Sequence, residues 1–329
     1  MNRIEARLQA ALQRHCGDGH RMTQCQRLSA GASAETYAFD VESPQGRQAL
    51  ILRRSAGGQG LGVNVDKRTE ALVQRAAAAA GVPVPEILFI LEPDDGLGEG
   101  YVMRRGAGET LPKRILGNAE FATARAQLTR QCAQALAAIH AVPLASLPKL
   151  AMLPAAPQLK QIEALYRSSP LVSPVFELAL RWLAKRMPDS ATTPCLVHGD
   201  FRNGNLLVDA QGLRLVLDWE LTHLGDPMED LGWLCVNAWR FGRRDQPVGG
   251  FGERGDLYAA YEAASGRAVD VPRLRFWEVF GTLKWGVICL LQAMLHLGGT
   301  VRSVERAAIG RRIPETELDL LDLIEGKDR

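Results

Sequence analysis

The sequence feature that most constrains this chain is a β-rich stretch over residues 195–220, set within a second half that is otherwise predicted to be helical. An apolar strand ends at Asp200, a polar loop runs to Asn205, and a second apolar strand follows. A turn at Asp209–Gly212 then leads into a third strand, which ends at Asp218. A hairpin of this shape brings the ends of its two strands together, so we expect the side chains of Asp200, Asn205 and Asp218 to converge.

The chemistry of these three side chains suggests a metal-dependent reaction. All three offer oxygen atoms, which are the ligands that Mg²⁺ prefers when it also binds phosphates and water. Phosphoryl transfer needs one group to orient the attacking hydroxyl and others to hold the metal. We therefore expect Asp200 to accept the proton of the substrate hydroxyl, and Asn205 and Asp218 to bind Mg²⁺. The alternative is structural, because a His beside an Asp often forms a turn pair and Asp218 can cap a strand end.

This stretch closely resembles the aminoglycoside/choline phosphotransferase family, a branch of the protein-kinase-like fold. The family motif H-G-D-x-x-x-x-N matches His198, Gly199, Asp200 and Asn205, and its metal-binding aspartate falls on Asp218. The motif G-D-P-x-x-D-L follows as Gly225, Asp226, Pro227, Asp230 and Leu231. The resemblance covers nearly the whole chain. Its part from Glu262 to Leu320 looks like the subgroup found fused or adjacent to acyl-CoA dehydrogenases.

The resemblance implies an α+β, bilobal protein-kinase-like fold, with a small antiparallel β-sheet N-lobe and a mainly helical C-lobe. The residue pattern agrees, because strand-like runs and one Ala-rich helix (65–80) come first and helices dominate from residue 120. The strand-like runs are 22–28, 36–42, 48–54, 86–91 and 101–105. We place the boundary near Arg104–Leu111, which gives a nucleotide-binding lobe over 1–104 and a catalytic and substrate-binding lobe over 105–329.

Two segments resemble the parts of the family that meet the nucleotide. Leu28–Tyr37 is similar to the loop that covers the phosphates, where Ser29 and Ser33 would add hydroxyl donors to backbone N–H groups. A flexible turn is the alternative for this segment. Tyr101–Arg104 is similar to the linker at which backbone groups meet adenine, and Met103 is the candidate contact there, with core packing as its alternative. The implied cofactors are ATP and Mg²⁺, and the choice between ATP and GTP is left open.

The third strand departs from the kinase pattern. Kinases carry a phosphate-binding Lys there, whereas this chain has Arg53, whose guanidinium can bridge phosphate and carboxylate. Its expected partner is Glu70 on the Ala-rich helix, in parallel with the Lys–Glu pair of kinases. Arg54 competes for the role, since strand alternation places only one of the two on the cleft face. A solvated Arg and Glu are the plain alternative.

Several other polar and aromatic residues of the motif region are assigned structural roles. Asp226 and Asp230 are expected to brace the catalytic loop, with helix N-capping as the alternative for Asp226 because Pro227 follows it. The remaining histidines and tryptophans near the motifs are predicted to be structural or core residues: His140, His223, Trp233, Trp239, Trp277 and Trp285.

Basic residues in the last third of the chain suggest the nature of the phosphoryl acceptor. They are Arg240, Arg243 and Arg244, and then Arg302, Arg306, Arg311 and Arg312 around the single Glu305. Such groups favour an anionic small molecule with a hydroxyl, such as a hydroxy acid or a hydroxyacyl-CoA, unless they form a solvated helix face. The alternatives are an aminoglycoside-type antibiotic kinase, a nucleotide-binding pseudokinase scaffold, and a metal-dependent hydrolase built on His198 and Asp200.

Composition excludes other broad classes. The net charge of +2 gives no electrostatic reason to expect nucleic acid as a partner. The six cysteines are scattered without C-x-x-C spacing, which is typical of reduced residues in a cytoplasmic protein. The apolar run Trp285–Leu291 is too short to span a bilayer, so no membrane association is expected. The oligomeric state is not indicated.

Overall fold

A computed structural model describes residues 3–28, 34–55, 64–189 and 193–327. Up to residue 104, the described residues contain two α-helices, α1 (Arg3–Cys16) and α2 (Lys67–Ala79), and five strands. The strands are β1 (Arg21–Arg27), β2 (Ala34–Ser43), β3 (Gly46–Ser55), β4 (Ile87–Ile90) and β5 (Gly100–Arg104). They form one antiparallel sheet in the order β1-β2-β3-β5-β4.

The two faces of this sheet pack against different elements. On one face, apolar strand residues form a buried core with Leu8 and Leu12 of α1. On the other face, Arg53 of β3 lies opposite Tyr101 of β5, and Tyr101 packs against Ala71 of α2. Because side chains alternate along a strand, Arg53 and its neighbour Arg54 point to opposite faces. The second face carries the residues discussed below.

The rest of the chain is mainly helical. Its helices are α3 (Pro112–Gly117), α4 (Ala122–His140), α5 (Ala155–Arg167), α6 (Pro174–Lys185), α7 (Pro227–Cys235), α8 (Arg254–Ser265), α9 (Val271–Leu297), α10 (Val304–Gly310) and α11 (Ile313–Glu325). In the described ranges after residue 104, two small antiparallel sheets lie among these helices. One pairs β6 (Cys195–Val197) with β9 (His223–Gly225), and the other pairs β7 (Leu206–Asp209) with β8 (Gly212–Val216).

The longest helix of the described part, α9, contributes much of the C-terminal core. Leu274, Phe276, Trp277 and Leu283 on this helix are buried. By length and composition α9 could also cross a membrane, but half of its most apolar window is already buried against the protein. Core helices of globular proteins pass the same test, so this helix is weak evidence for a membrane span.

The fold class expected from the sequence is confirmed, with an antiparallel sheet in the N-terminal lobe and helices in the C-terminal lobe. The hairpin within 195–220 is present as β7 and β8. The strand before it, β6, pairs instead with β9, a strand that the sequence analysis missed. Two short helices, α3 and α10, were also missed. Helix α7 ends at Cys235, and a 3₁₀ turn follows over Asn237–Arg240. The division of the chain at residue 104 stays a prediction.

Candidate active site

The loop between β6 and β7 begins with a glycine that its geometry requires. Gly199 has a φ of +80°, and a Cβ at this position would lie 2.4 Å from the carbonyl oxygen of Leu221. A side chain would therefore meet both backbone strain and a collision with backbone. The loop that carries Asp200 can turn here only because residue 199 is glycine.

The imidazole of His198 connects the start of this loop to the end of the hairpin. Its Nδ1 accepts the backbone N–H of Asp200 at 3.2 Å, so its proton lies on Nε2, which faces the carbonyl oxygen of Leu217 at 3.1 Å. Burial lowers the pKa of His198, which favours the neutral form that this bonding needs. Both ring nitrogens are thus engaged in structural contacts, so His198 positions backbone rather than transferring protons.

Three donors surround the carboxylate of Asp200. Its Oδ1 accepts the indole N–H of Trp233 at 2.8 Å and the Nε–H of Arg202 at 2.9 Å. Its Oδ2 accepts from the side-chain Nδ2 of Asn205 at 2.6 Å. The guanidinium of Arg202 is itself stacked on the ring of Trp239, 4.5 Å from the ring centroid. Asp200 is therefore held in one orientation and partly exposed at the loop surface.

The contacts of Asn205 fix which atom of its side chain is free for other partners. Nδ2 donates to the backbone oxygen of Asp200 at 3.0 Å as well as to its carboxylate. Because both partners are acceptors, the amide atom that faces them is the nitrogen and not the oxygen. The amide oxygen Oδ1 therefore points away from Asp200. Asn205 also reaches the hairpin end through its own backbone, because its carbonyl accepts the N–H of Leu217 at 2.8 Å.

Asp218, the residue after Leu217, has an unusual backbone conformation. Its φ of +65° lies in the left-handed region, which aspartate tolerates better than most non-glycine residues but which still marks a constrained position. Its carboxylate Oδ1 is paired with the guanidinium of Arg53 from the N-terminal sheet. Burial opposes its ionisation, but Arg53 holds the pKa of Asp218 below its usual range. The structure thus brings Asp200, Asn205 and Asp218 to one region through His198 and Leu217.

Arg53 contacts three carboxylates, and two of them, Asp218 and Glu220, belong to the C-terminal lobe. Besides Asp218, it lies 3.1 Å from Glu70 of α2 and 3.2 Å from Glu220. Burial by itself would lower the pKa of Arg53, but these carboxylates raise it above its usual value. The Nε of Arg53 is close to Glu70 without good hydrogen-bond alignment, so this contact is an ion pair. The expected pair of Arg53 with Glu70 is present.

Strand register decides between the two candidate arginines on β3. Arg54 turns to the other face of the sheet, where its guanidinium bonds the carboxylate of Glu35 at 2.8 Å and the carbonyl oxygen of Leu97 at 2.7 Å. Arg53 alone of the two faces α2 and the hairpin end.

Glu70 is fully buried and has partners besides Arg53. The hydroxyl of Tyr101 donates to it at 2.9 Å, and the ammonium of Lys67 lies 2.7 Å away. Lys67 also approaches Glu220 at 3.4 Å. The helix that carries Lys67 and Glu70 begins at an N-cap, Asp66, which accepts the N–H of Thr69 at 2.7 Å.

Asp230 braces the loop as expected, whereas Asp226 does not. The two oxygens of Asp230 accept the backbone N–H groups of His198 at 2.8 Å and Gly199 at 2.9 Å. Asp226 instead caps α7 by accepting the N–H of Met228 at 2.9 Å, and also binds the indole N–H of Trp277 at 3.0 Å. The expectation that Asp226 braces the loop was wrong, and the capping alternative describes its contacts.

The two histidines predicted to be structural are both buried and hydrogen-bonded. His140 contacts Asp230 at 3.2 Å and the hydroxyl of Tyr261 at 2.8 Å. His223 lies 3.2 Å from Glu229; burial opposes its protonation, but this carboxylate raises the pKa of His223.

The residues proposed for the nucleotide side are only partly covered by the structure. Ser29 and Ser33 lie outside the described residues. Met103 is half-buried and packs against a cluster of Ala71, Ile87 and Tyr101 on the face of the sheet that carries Arg53. Core packing of Met103 is thus observed, and a role at the adenine stays a prediction.

Four side chains of this region were not predicted from the sequence to belong to the site. Lys67 and Arg202 gave no signal beyond being charged, although Arg202 lies two residues after Asp200. Glu220 ends the motif Leu217-Asp218-Trp219-Glu220 but was given no role. Trp233 was predicted to be a core residue on an apolar helical face. Its ring is indeed buried, but its N–H reaches Asp200.

The basic residues chosen from the sequence do not form one free surface. Arg240 is 3% exposed and bonds Glu278 at 3.2 Å. Arg244 lies 3.3 Å from Asp319, and Arg312 is paired with Glu315 at 3.0 Å. Three of the seven basic residues are therefore already paired with carboxylates, so they are less available to an anionic acceptor than the sequence suggests.

The residues present fit a Mg²⁺ that shares its ligands with water and phosphate better than a metal centre built from protein ligands alone. Within the described ranges, no group of three or more His, Cys, Asp or Glu side chains is arranged to hold a metal. Asn205 Oδ1 and the oxygen of Asp218 that Arg53 does not bind are the available ligands. Two protein oxygens suit Mg²⁺, which usually completes its shell with water and phosphate.

The chain is similar in sequence to a known protein family and to characterised proteins. The model of the phosphotransferase enzyme family matches residues 24–268. Acyl-CoA dehydrogenase family member 11 of Mus musculus is 29% identical over 242 residues, which cover 71% of this chain and 30% of that protein. The chain therefore spans less than a third of the length of this curated relative.

Two solved structures share the fold. One is a protein from Ralstonia eutropha assigned as an aminoglycoside phosphotransferase, with a TM-score of 0.76, 23% identity and 98% of each chain covered. The other is an aminoglycoside phosphotransferase in a ternary complex with AMP-PNP and hygromycin B, with a TM-score of 0.60 and 19% identity, covering 97% of this chain and 98% of that one. At these identities the similarity concerns the fold alone.

Proposed function

Because the chain belongs to the phosphotransferase enzyme family, we propose that it transfers the γ-phosphoryl group of ATP to a hydroxyl of a small molecule in a Mg²⁺-dependent reaction. The observation that carries this proposal is that Asp200, Asn205 and Asp218 lie in one region of the structure. Arg53 of the N-terminal sheet forms an ion pair with Asp218 there. Phosphoryl transfer relies on orientation of the nucleophile and neutralisation of phosphate charge, and this set of groups can supply both.

In the proposed reaction Asp200 takes the proton of the acceptor hydroxyl. The hydroxyl oxygen then forms a bond to the γ-phosphorus, while the bond from that phosphorus to the β,γ-bridging oxygen breaks and ADP leaves. Asn205 and Asp218 would hold Mg²⁺, which neutralises charge on the phosphates when bound. Arg53, fixed by Glu70, would bind phosphate oxygens from the side of the N-terminal sheet. Ser29, Ser33 and Met103 are proposed to contact the nucleotide.

An anionic acceptor, such as a hydroxy acid or a hydroxyacyl-CoA, is the finer part of the proposal. Its support is Arg202, a cation fixed 2.9 Å from the carboxylate of Asp200, together with the similarity to an acyl-CoA dehydrogenase family member. An anionic group on the acceptor would interact favourably with this guanidinium. A polycationic aminoglycoside would be repelled by it, although a structural neighbour has an aminoglycoside bound.

The test is a phosphate-transfer screen with purified protein, [γ-³²P]ATP and MgCl₂. The acceptors are hydroxy acids, hydroxyacyl-CoAs, amino alcohols and aminoglycosides, with water as the background acceptor. We expect transfer to an anionic acceptor, and a loss of about 10²–10⁴-fold in turnover in Asp200→Asn with ATP binding retained. Transfer to aminoglycosides alone would select the alternative acceptor class. ATP binding without any turnover would support a pseudokinase scaffold, and no ATP binding at all would refute the proposal.

A further inference from the structure

The carboxylate of Asp200 has one hydrogen-bonding position that no described donor fills. An ionised carboxylate offers about four lone-pair positions, two on each oxygen. Both positions on Oδ1 are taken, by Trp233 at 2.8 Å and Arg202 at 2.9 Å. Asn205 takes one position on Oδ2 at 2.6 Å. The remaining position is therefore on Oδ2.

We propose that Trp233 is a positioning residue for Asp200, whose indole N–H holds Oδ1 so that Oδ2 receives the proton of the acceptor hydroxyl. This inference rests on the proposed function and deepens it, because it assigns the accepting atom and the residue that orients it. Trp233 would not touch the reacting atoms. It acts by preventing rotation of the carboxylate about its Cβ–Cγ bond.

The indole of Trp233 is well placed for this role because its own position is fixed. It lies on α7 and is 5% exposed. The ring packs closely against α9, because a Cβ added at Gly281 of that helix would lie only 2.9 Å from it. The ammonium of Lys284 lies 5.0 Å from its centroid, within the range of a cation–π attraction. A rigid donor restrains its acceptor better than a flexible one.

The neighbouring tryptophans show that the contact is specific to Trp233. Trp239 packs 5.1 Å from Trp233, and Trp285 packs 4.8 Å from Trp239, measured between ring centroids. In the described part of the protein, the N–H groups of Trp239 and Trp285 are buried without a hydrogen-bond partner. Packing within this tryptophan cluster therefore does not by itself explain why the N–H of Trp233 points at the carboxylate of Asp200. Trp285, which makes no contact with Asp200 or Arg202 in the structure, provides a matched control.

The experiment compares Trp233→Phe with Trp285→Phe, using Mg²⁺·ATP hydrolysis with water as the acceptor. Both substitutions remove an indole N–H and a similar volume, but only Trp233→Phe removes a hydrogen bond. We expect kcat to fall about tenfold or more in Trp233→Phe, because a slightly misplaced base loses much of its effect. The KM for ATP should be unchanged in that variant, since Trp233 does not contact the proposed nucleotide groups. Trp285→Phe should retain the wild-type kcat.

A second variant distinguishes the effect of the Trp233 hydrogen bond on kcat from the effect of its ring packing. Replacement of Trp233 by benzothienylalanine exchanges the indole N–H for sulfur and keeps the shape of the ring. It should show the same drop in kcat as Trp233→Phe with an unchanged melting temperature. Wild-type kcat in this variant, or equal loss in Trp233→Phe and Trp285→Phe, would overturn the inference while leaving the proposed function intact. A wild type that transfers phosphate to no acceptor of the screen, water included, in an Asp200-dependent manner would reject both.

Discussion

Arg53 on the N-terminal sheet forms an ion pair with Asp218 at the end of the C-terminal hairpin. Each residue belongs to a different lobe, and each is a candidate ligand for a different part of Mg²⁺·ATP. In the structure Arg53 also binds Glu70 and Glu220, so a single guanidinium joins the sheet, α2 and the hairpin. In the proposed function, a nucleotide bound at this region would compete with these carboxylates for Arg53.

Loss of Arg53 should weaken nucleotide binding, whereas loss of Arg54 should not. Arg53→Met removes the cation that faces Asp218, so we expect Mg²⁺·AMP-PNP to bind with roughly 1.5–3 kcal/mol less free energy, or about ten- to hundredfold more weakly. Isothermal titration calorimetry would measure this. Arg54→Met is the control, because it removes an arginine from the same strand but from the opposite face. Equal losses in the two variants would contradict the assigned role of Arg53.

Asp218→Asn should abolish the part of ATP binding that depends on the metal. The variant keeps the size of the side chain but loses the charge that attracts Mg²⁺. For the wild type, ligand at a hundred times its dissociation constant should stabilise the fold by about 2.7 kcal/mol. Melting temperatures with ATP and either Mg²⁺ or EDTA would show whether the difference between the two conditions disappears.

The control for this experiment is the exposed residue Asp245, replaced by Asn. It should preserve the full Mg²⁺-dependent shift in melting temperature. If Asp218→Asn also preserved that shift, Asp218 would not be a metal ligand.

The buried carboxylate of Asp230 should make stability depend on acid pH. Burial opposes its ionisation, but its bonds to His140 and to the backbone of His198 hold the pKa of Asp230 below its usual value. Its contribution to stability is therefore fully present above the unfolded pKa of about 3.9, and it is lost as the pH falls through the lower folded value. Asp230→Asn should cost about 1–3 kcal/mol at pH 7, and this deficit should shrink below pH about 4.

Urea unfolding at a series of pH values would measure that dependence. Asp94→Asn, at an exposed site, is the control and should leave the curve near that of the wild type. A deficit for Asp230→Asn that stayed constant through pH 2 would show that its charge is not the stabilising feature.

Gly199→Ala should destabilise the protein more than Gly81→Ala. Both glycines have positive φ, +80° and +84°, so alanine is strained at either position by about 1–3 kcal/mol. Only at Gly199 would the added Cβ also collide, 2.4 Å from the carbonyl oxygen of Leu221, whereas nothing lies within 4 Å at Gly81. Thermal unfolding of the two variants would separate the two effects. Similar melting temperatures would mean that the backbone near Leu221 gives way easily.

The motif spacing made much of the site accessible from the sequence. Asn205 and Asp218 flank the two strands of one hairpin, β7 and β8, so the hairpin brings them close. Asp200 lies outside this hairpin and joins them through contacts of His198 and Asn205. The pair of Arg53 and Glu70 also followed from the resemblance, since a strand and the next helix carry both. What the spacing could not give was the choice between Arg53 and Arg54. That choice depends on strand register, and a shift by one residue would exchange the two faces.

The errors came from contacts between elements distant in the chain. Asp226 was assigned to the loop because of its motif, but the start of α7 uses its carboxylate as a cap. Trp233 was assigned to the core because its helical face is apolar, and its N–H direction is invisible in such a pattern. The apparent basic clusters were counted along the chain, while Arg240 and Arg244 find carboxylates on α9 and α11.

The sequence by itself determined that a strand-rich part precedes a helical part, the family, and the short-range grouping of the catalytic candidates, because these follow from local periodicity and fixed spacing. Only the tertiary structure decided which oxygen of Asp200 faces which donor, which arginine enters the cleft, and which charges are already neutralised. Those outcomes depend on distances between side chains far apart in the chain, and such distances are set when the helices and sheets pack together.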